Sequence, residues 1–383
     1  MSAILTRCSS THSWKRESSV RISFVLQGYP WTPTGGARVV YEYANQLVAR
    51  GHEVTVVHPR WLPNWSPRPP ASLHRRLVRK AGQLRNMVLT PRVDWQPVDG
   101  RVRMLYVREP LPRCVPDGDA VFATWWPTAE LVLRYPPKKG RKFYLIQHYE
   151  TWIGEEQRVR ATWRAPLHKV VISRWLYAQG VELGVLSDEM TYIPNGISHT
   201  RYRLLRPIKT RPPRVVMMYS EQEWKGGRDG VDALELTRRR FPKLQAALFG
   251  TRRRPRWLPG WIEYFANPPQ TMLVEDLYNG SSVYLCPSWK EGWCLPPMEA
   301  MACGCAVVST DNGGIREYAE HEMTALLSSP KEPESLAENL LRVLQDDRAR
   351  IQLAQLGRER IRELSWARST DSLEQVLRRD TGS

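Results

Sequence analysis

Short runs of β-branched and other apolar residues alternate with amphipathic stretches along most of the chain, and this alternation limits the possible folds more than any other feature. The first unit combines a strand over 22–26, a Gly/Pro turn over 28–36 and a helix that ends at Gly51 before a second strand. Further candidate strands lie at 54–57, 104–107, 120–123, 143–146 and 170–172. Strands separated by helices form parallel sheets covered on both faces. We therefore predict an α/β fold with a doubly wound parallel sheet.

The same alternation starts again after a basic stretch over 201–214 that carries several prolines. Strands are predicted at 215–219, 246–249, 283–286 and 306–309, with helices from about residue 227, near 272–278 and from residue 297. Ligands of such sheets bind beyond the carboxyl ends of the strands, so with two sheets facing each other we expect the site in the cleft between them. We predict a flexible tail over 1–20, one domain over 21–205, a second over 206–363 and a terminal segment over 364–383.

Composition narrows the class of protein. The chain has 383 residues, enough for two domains, and a formal charge of +17 that favours an acidic partner such as anionic lipid or a phosphorylated small molecule. No nucleic-acid-binding motif is present, so we expect no nucleic-acid partner.

The six cysteines form neither a disulfide framework nor a zinc motif, which predicts a reducing, cytoplasmic location. No apolar run reaches the roughly 18 residues of a membrane span, and the first residues lack the apolar core of a secretion signal.

The segment from Pro287 to Thr310 carries the strongest chemical signal. A strand leads into Glu291 and Gly292, and Pro296 and Pro297 open a helix with Glu299 in its first turn. The unpaired N–H groups and positive end of a helix suit a diphosphate, and flanking carboxylates can accept hydrogen bonds from hydroxyls. A capping glutamate followed by a core helix explains the pattern equally well.

This segment, EGWCLPPMEAMA, resembles the Glu-seven residues-Glu motif of the retaining GT-B glycosyltransferases of family four, and the resemblance extends over residues 20 to 380. It implies two Rossmann-like domains facing across a cleft, an acceptor-side domain first and a nucleotide-sugar donor domain second, with a C-terminal helix that returns to the first domain. Glu291 would hold hydroxyls of the transferred sugar and Glu299 those of the ribose. The donor-binding residues between them would be Gly292, Trp293, Cys294 and Leu295. Cys294 replaces the usual glycine, so we expect it to crowd the sugar pocket.

Other motifs follow in the order of the family. Gly35 and Gly36 form the first Gly-rich turn, which would let backbone amides approach a phosphate or the acceptor, although a Gly-Gly pair is ordinarily only a turn. His148 would lie beside the donor sugar, although a loop histidine is more often structural. Tyr149 and Asn195 would support the acceptor or the local structure.

Lys225 matches the lysine that binds the donor phosphates in the family, against the alternative of an exposed lysine near a helix start. The companion arginine of the family is missing, because Tyr219 and Ser220 occupy its possible positions. We therefore expect Lys225, helix-end amides and an arginine from elsewhere to share the phosphate charge.

Two further features have competing explanations. Asp117 and Asp119 resemble a metal-binding acidic pair, but they precede a first-domain strand, so we favour a strand-entry turn and predict no metal.

The basic amphipathic stretch over 72–88 suits an anionic membrane surface or a lipid-phosphate acceptor, and a solvated helix explains it equally well.

The resemblance implies hexosyl transfer from a nucleoside diphosphate sugar, with retention, in the biosynthesis of a polysaccharide, a glycolipid or a glycosylated metabolite. The acceptor would be a sugar, a lipid-linked molecule or a small molecule, and no cofactor is expected beyond the nucleotide sugar as co-substrate. We expect a metal-independent enzyme in the cytoplasm, with a peripheral position on the inner face of the plasma membrane as one option. The alternatives are a same-fold epimerase or phosphorylase, a non-catalytic donor-binding subunit and, last, a basic nucleic-acid binder.

Overall fold

The computed structural model of the protein describes residues 19–65, 93–151 and 155–378. The predicted tail and the basic stretch over 72–88 lie outside the described residues, so the membrane-surface hypothesis stays a prediction. None of the described helices is both long enough and apolar enough to cross a bilayer.

The first sheet has seven strands in the order β3-β2-β1-β4-β5-β6-β7, and all its pairs are parallel. Its strands are β1 (Arg21–Val25), β2 (Glu53–Pro59), β3 (Arg103–Val107), β4 (Ala120–Ala123), β5 (Arg141–Ile146), β6 (His168–Val171) and β7 (Met190–Tyr192). Its helices are α1 (Gly35–Ala49), α2 (Trp126–Leu133), α3 (Glu156–Arg164) and α4 (Arg174–Glu182).

Aromatic rings join the central strands of this sheet. Phe24 of β1 stacks on Phe122 of β4 with ring centres 4.8 Å apart, and Phe122 stacks on Phe143 of β5 at 4.6 Å. All three side chains are fully buried, so helices cover the face of the sheet on which they lie. Strands buried on both faces read as continuous apolar runs, which is why sequence analysis found these strands.

The second sheet has six parallel strands in the order β10-β9-β8-β11-β12-β13. They are β8 (Arg214–Met218), β9 (Gln245–Gly250), β10 (Glu263–Ala266), β11 (Val283–Cys286), β12 (Ala306–Thr310) and β13 (Leu326–Ser328). The helices are α5 (Gly227–Arg240), α6 (Gln270–Met272, continued by a π-helical turn over Leu273–Tyr278), α7 (Leu295–Ala302), α8 (Pro333–Gln345) and α9 (Asp347–Ile361).

The terminal helix, α10 (Trp366–Arg378), packs on the first sheet's domain although it follows the second sheet in the chain. Trp366 meets Tyr43 of α1 edge to face at 5.4 Å, and Glu374 accepts a hydrogen bond from Arg50 at 2.6 Å. The backbone at Gly196 lies so close to Trp366 that a Cβ there would be 2.1 Å from the Trp366 nitrogen. The chain thus crosses between the two domains twice.

Candidate active site

The loops at the carboxyl ends of the two sheets touch across the cleft. Gly292 lies against the loop after β5, where a Cβ would come within 1.8 Å of the Gln147 carbonyl oxygen, so only glycine fits. A Cβ on Gly35, the first residue of α1, would lie 3.9 Å from Leu295, the first residue of α7. The starts of α1 and α7 therefore meet at one point in the cleft.

Glu291 and Lys225 form an ion pair at this point. The Lys225 ammonium donates to both carboxylate oxygens of Glu291, at 2.7 and 2.9 Å. Burial alone would lower the pKa of Lys225, but the Glu291 carboxylate and the thiols of Cys294 and Cys286 together outweigh burial, and the pKa is raised. The Glu291 side chain is 8% exposed and that of Lys225 21%. The pair is thus a largely desolvated, charged feature of the donor-motif loop.

Residues on both sides of the cleft hold the Glu291 backbone. Its N–H donates to the Asn312 carbonyl at 2.8 Å, within its own domain. Its carbonyl accepts from the Trp175 indole at 2.9 Å, and Trp175 belongs to α4 of the first domain. Contact between the domains therefore helps to fix the position of Glu291.

His148 lies beside this loop. Its ring meets Trp175 edge to face at 5.7 Å, and its Nε2 is 3.4 Å from the Lys290 carbonyl oxygen. Burial lowers the pKa of His148, although the nearby Glu291 carboxylate opposes the shift. The histidine is therefore biased toward its neutral form at the centre of the cleft.

Glu299 lies further along α7 and faces the first domain. Arg38 of α1 donates to its Oε1 at 2.5 Å, and the Tyr278 hydroxyl donates to its Oε2 at 3.0 Å. Arg38 also donates to the Tyr202 hydroxyl at 3.1 Å. The Glu299 side chain is 4% exposed. Both carboxylate oxygens therefore have partners in the protein without a ligand.

The helix of the donor motif differs from the prediction in one respect. It begins at Leu295, two residues before the predicted start, because Cys294 takes the left-handed conformation (φ 69°, ψ 77°) that precedes it. Glu299 therefore lies beyond the first turn, and the prediction that it belongs to that turn was wrong. The capping alternative is also wrong, because no side chain caps α7 and its first turn contains no acid. Pro296 and Pro297 have no N–H, so the start of this helix offers an anion the Leu295 N–H and the positive end of the helix dipole.

The other donor-motif residues are buried in the same loop. The Cys294 thiol lies 3.5 Å from that of Cys286 at the end of β11, and the Cys294 carbonyl accepts from the Tyr318 hydroxyl at 2.5 Å. The Trp293 indole nitrogen has no hydrogen-bond partner in the described part of the chain. Cys294 thus packs on its own domain's sheet.

The Gly-rich turn, Tyr149 and Asn195 were also predicted to belong to the site, and each has a different environment. The Gln147 amide donates to the Gly36 carbonyl at 3.2 Å, which joins the Gly-rich turn to the loop after β5. Tyr149 packs edge to face on Trp163 at 5.7 Å. Asn195 is 1% exposed, and its amide finds no hydrogen-bond partner among the described residues, so the structure places it in the interior.

The acidic pair Asp117 and Asp119 lies at the amino end of β4, at the opposite edge of the sheet from the cleft. Asp117 accepts from Lys139 at 2.5 Å, and Asp119 pairs with Arg21 at 2.9 Å. These ion pairs with neighbouring strand ends support the interpretation as a strand-entry turn.

Sequence analysis missed the residues that reach across the cleft. Arg38 lies two residues after Gly36, and Trp175 lies in α4 of the first domain. Glu317 of the second domain accepts from the Arg174 amide at 2.5 Å and from the Tyr192 hydroxyl at 2.6 Å. The closeness of Arg38 to the Gly-Gly pair was the one available signal.

Comparison with known proteins agrees with this geometry. The family model described as Glycosyltransferase Family 4 matches residues 33–201, and that described as Glycosyl transferases group 1 matches residues 207–360. A D-inositol 3-phosphate glycosyltransferase from Saccharomonospora viridis is 33% identical over 117 residues, which cover 30% of this chain and 27% of the relative. The matched part is thus a minor share of that relative's length.

Solved structures share the fold over nearly the whole chain. The Anabaena protein HepE in complex with UDP-glucose has a TM-score of 0.68 at 15% identity and covers 94% of this chain and 99% of its own. Sucrose-phosphate synthase from Thermosynechococcus elongatus also has a TM-score of 0.68, at 19% identity, with 94% and 98% covered. The protein therefore has the fold of the GT-B glycosyltransferases. It belongs to glycosyltransferase family 4, the group 1 transferases.

Proposed function

We propose that this glycosyltransferase transfers a hexosyl group from a nucleoside diphosphate sugar to an acceptor hydroxyl with retention of the anomeric configuration. The observation that supports the proposal most is the meeting of the Lys225–Glu291 pair with the uncapped start of α7 at one point of the cleft. A cation, the Leu295 N–H and the positive helix end suit the diphosphate, and the adjacent carboxylate suits the hydroxyls of the sugar.

Glu299 takes the ribose in this proposal. It lies four residues beyond Leu295, which is about 6 Å along the helix and so within reach of a nucleoside whose phosphates lie at the helix start. HepE was solved with UDP-glucose bound, which makes a uridine nucleotide a reasonable first candidate for this chain.

A same-face displacement fits the pairing of Glu291. Double displacement needs a carboxylate free to attack the anomeric carbon, whereas both oxygens of Glu291 accept from Lys225. The leaving diphosphate would take the acceptor proton while Lys225 and the Leu295 N–H at the start of α7 stabilise its developing charge. Carbon–oxygen bond cleavage and formation then occur on one face of the sugar.

The first test is ligand binding by the purified chain. A thermal-shift screen against nucleoside diphosphates and their sugars should find one base that stabilises the protein, by about 2.7 kcal/mol at 100 times its dissociation constant. Labelled donor with candidate acceptors, sugars and lipid-linked sugars among them, should then give labelled product in the presence of EDTA. Loss of activity in EDTA that magnesium restores would contradict metal independence.

Two outcomes would favour the alternatives. Conversion of the donor sugar to its epimer without any acceptor would indicate an epimerase. Donor binding without transfer or hydrolysis under any condition would indicate a non-catalytic donor-binding subunit.

A further inference from the structure

A nucleoside diphosphate carries more than one negative charge, and among the described residues Lys225 is the cation paired within the proposed donor site. Tyr219 is buried against Trp257 and Tyr264, and the Ser220 hydroxyl accepts from the Gln222 amide, so neither position supplies a second one.

Arg38 is the other cation that the structure brings to this place. It lies in the first turn of α1, whose start meets the start of α7. Its guanidinium pairs with Glu299, about one helical turn from the Leu295 N–H at the start of α7. The Arg38 side chain is 14% exposed, so its charge acts in a largely desolvated cleft.

The Glu299 carboxylate, which pairs with Arg38, is also the group proposed to bind the ribose. Glu299 accepts from Arg38 on one oxygen and from the Tyr278 hydroxyl on the other. Ribose hydroxyls that donate to the same carboxylate compete with the guanidinium for its lone pairs. A guanidinium displaced from Glu299 would still lie on the cleft side of α1, with the diphosphate as the nearest new anion.

The other cationic side chains described near the cleft already contact other groups. Arg174 pairs with Glu317 at 3.1 Å, and the Arg228 guanidinium lies 4.5 Å from the centre of the Trp257 ring. Lys290 lies 5.0 Å from the centre of the Trp175 ring. The Arg254 guanidinium donates to backbone carbonyls, Ile262 among them at 2.7 Å. Arg38 is therefore the best-placed of these residues to serve the donor.

We propose that Arg38 is the second phosphate-binding cation of this enzyme. Ribose hydroxyls replace Arg38 on Glu299 when the donor binds, and the guanidinium turns to the diphosphate at the start of α7. Arg38, which lies in the first domain, thus replaces the companion arginine that the second domain lacks. Full phosphate binding therefore requires the cleft to be closed. The proposal rests on the proposed function.

Calorimetry with UDP and uridine, or GDP and guanosine if the wild-type protein prefers them, tests this directly. Arg38→Ala should weaken diphosphate binding at least tenfold and leave nucleoside binding unchanged or tighter, because the nucleoside no longer competes with a guanidinium. Arg38→Lys should recover part of the diphosphate affinity. Arg201→Ala is the matched control, since it removes another part-buried ion pair, with Glu42 at 2.9 Å, and should change both affinities less than twofold.

Equal losses for the diphosphate and the nucleoside in Arg38→Ala would overturn the proposal, because they would mean that Arg38 only orders Glu299. An unchanged diphosphate affinity would overturn it as well. If Arg38→Ala does not fold, the same comparison on Arg38→Lys decides, with an equal or absent loss for both ligands counting against the proposal. A wild-type protein that binds no nucleotide would instead remove the proposed function itself.

Discussion

At the scale of single residues, Glu291 holds Lys225 through two hydrogen bonds of 2.7 and 2.9 Å. In our proposal Glu291 meets the sugar and Lys225 meets the phosphates. A donor must therefore enter a site whose charges already compensate each other. Residues selected by a motif can be predicted from sequence, but which of them meet depends on packing that the motif does not encode.

Substitutions of Glu291 and Glu299 should affect turnover and nucleotide affinity differently. Glu291→Gln should lower turnover far more than the affinity for a bare nucleoside diphosphate, because its proposed partners are the sugar hydroxyls. Glu299→Ala should weaken the nucleotide, because its proposed partner is the ribose. Calorimetry beside steady-state kinetics measures both, and equal affinity losses in the two variants would contradict the assignment.

Lys225→Ala should lower the rate of the chemical step by about two orders of magnitude, the scale of removing one preorganised donor from a developing anion. Lys225→Arg should restore part of the rate, since a planar guanidinium places its charge differently from a compact ammonium. Single-turnover kinetics at saturating donor separates this effect from binding. Lys243→Ala, an exposed lysine after α5, serves as the control. A Lys225→Ala rate within about threefold of the parent would not fit a phosphate-binding role.

At the scale of the elements, all the central strands were predicted, whereas of the four edge strands only β3 was. The central strands appear in the sequence as continuous apolar runs. The strands that were missed are β7, β10 and β13, all at sheet edges, and two of them have only three residues. Short edge strands carry little apolar signal. The start of α7 was misplaced because the left-handed residue before it is a cysteine, whereas glycine is the usual signal for that conformation.

This conformation makes a prediction about Cys294. Cys294→Gly removes a left-handed strain of about 1–3 kcal/mol and loses the buried contact of the thiol with Cys286, so its unfolding free energy should stay within about 1 kcal/mol of the parent. Cys294→Val should lose more than about 2 kcal/mol, because a β-branched residue fits positive φ poorly. Denaturant unfolding of the two variants tests this, and equal stabilities would contradict it.

At the scale of the whole molecule, the described residues show a closed cleft. The Trp175 indole donates to the Glu291 carbonyl, and Arg38 pairs with the Glu299 carboxylate. Glu317 accepts a hydrogen bond from the N–H at the start of α4. Each contact joins residues more than a hundred positions apart. No local pattern predicts such pairs, which is why sequence analysis found the donor motif and missed the residues of the first domain that meet it.

Gly292→Ala tests whether closure is needed for activity. A Cβ at this position would lie 1.8 Å from the Gln147 carbonyl, so the loops must separate. We expect transfer to fall by at least tenfold while the variant still folds and binds the bare nucleoside, because the clash lies between the domains and the nucleoside is held by the second domain alone in our proposal. Small-angle scattering should show a larger radius of gyration. Wild-type transfer rates in this variant would show that the contact is dispensable.

We propose that the site around Glu291 and Lys225 transfers a sugar from a nucleotide donor with retention. The most direct measurement uses methanol as the acceptor, since a methyl glycoside keeps the anomeric configuration in which it forms. Proton NMR of the product from an α-linked nucleotide sugar should show the α-methyl glycoside and free nucleoside diphosphate in equal amounts, with both strongly reduced in Glu291→Gln. The β-methyl glycoside, or an undiminished yield from Glu291→Gln, would contradict the account.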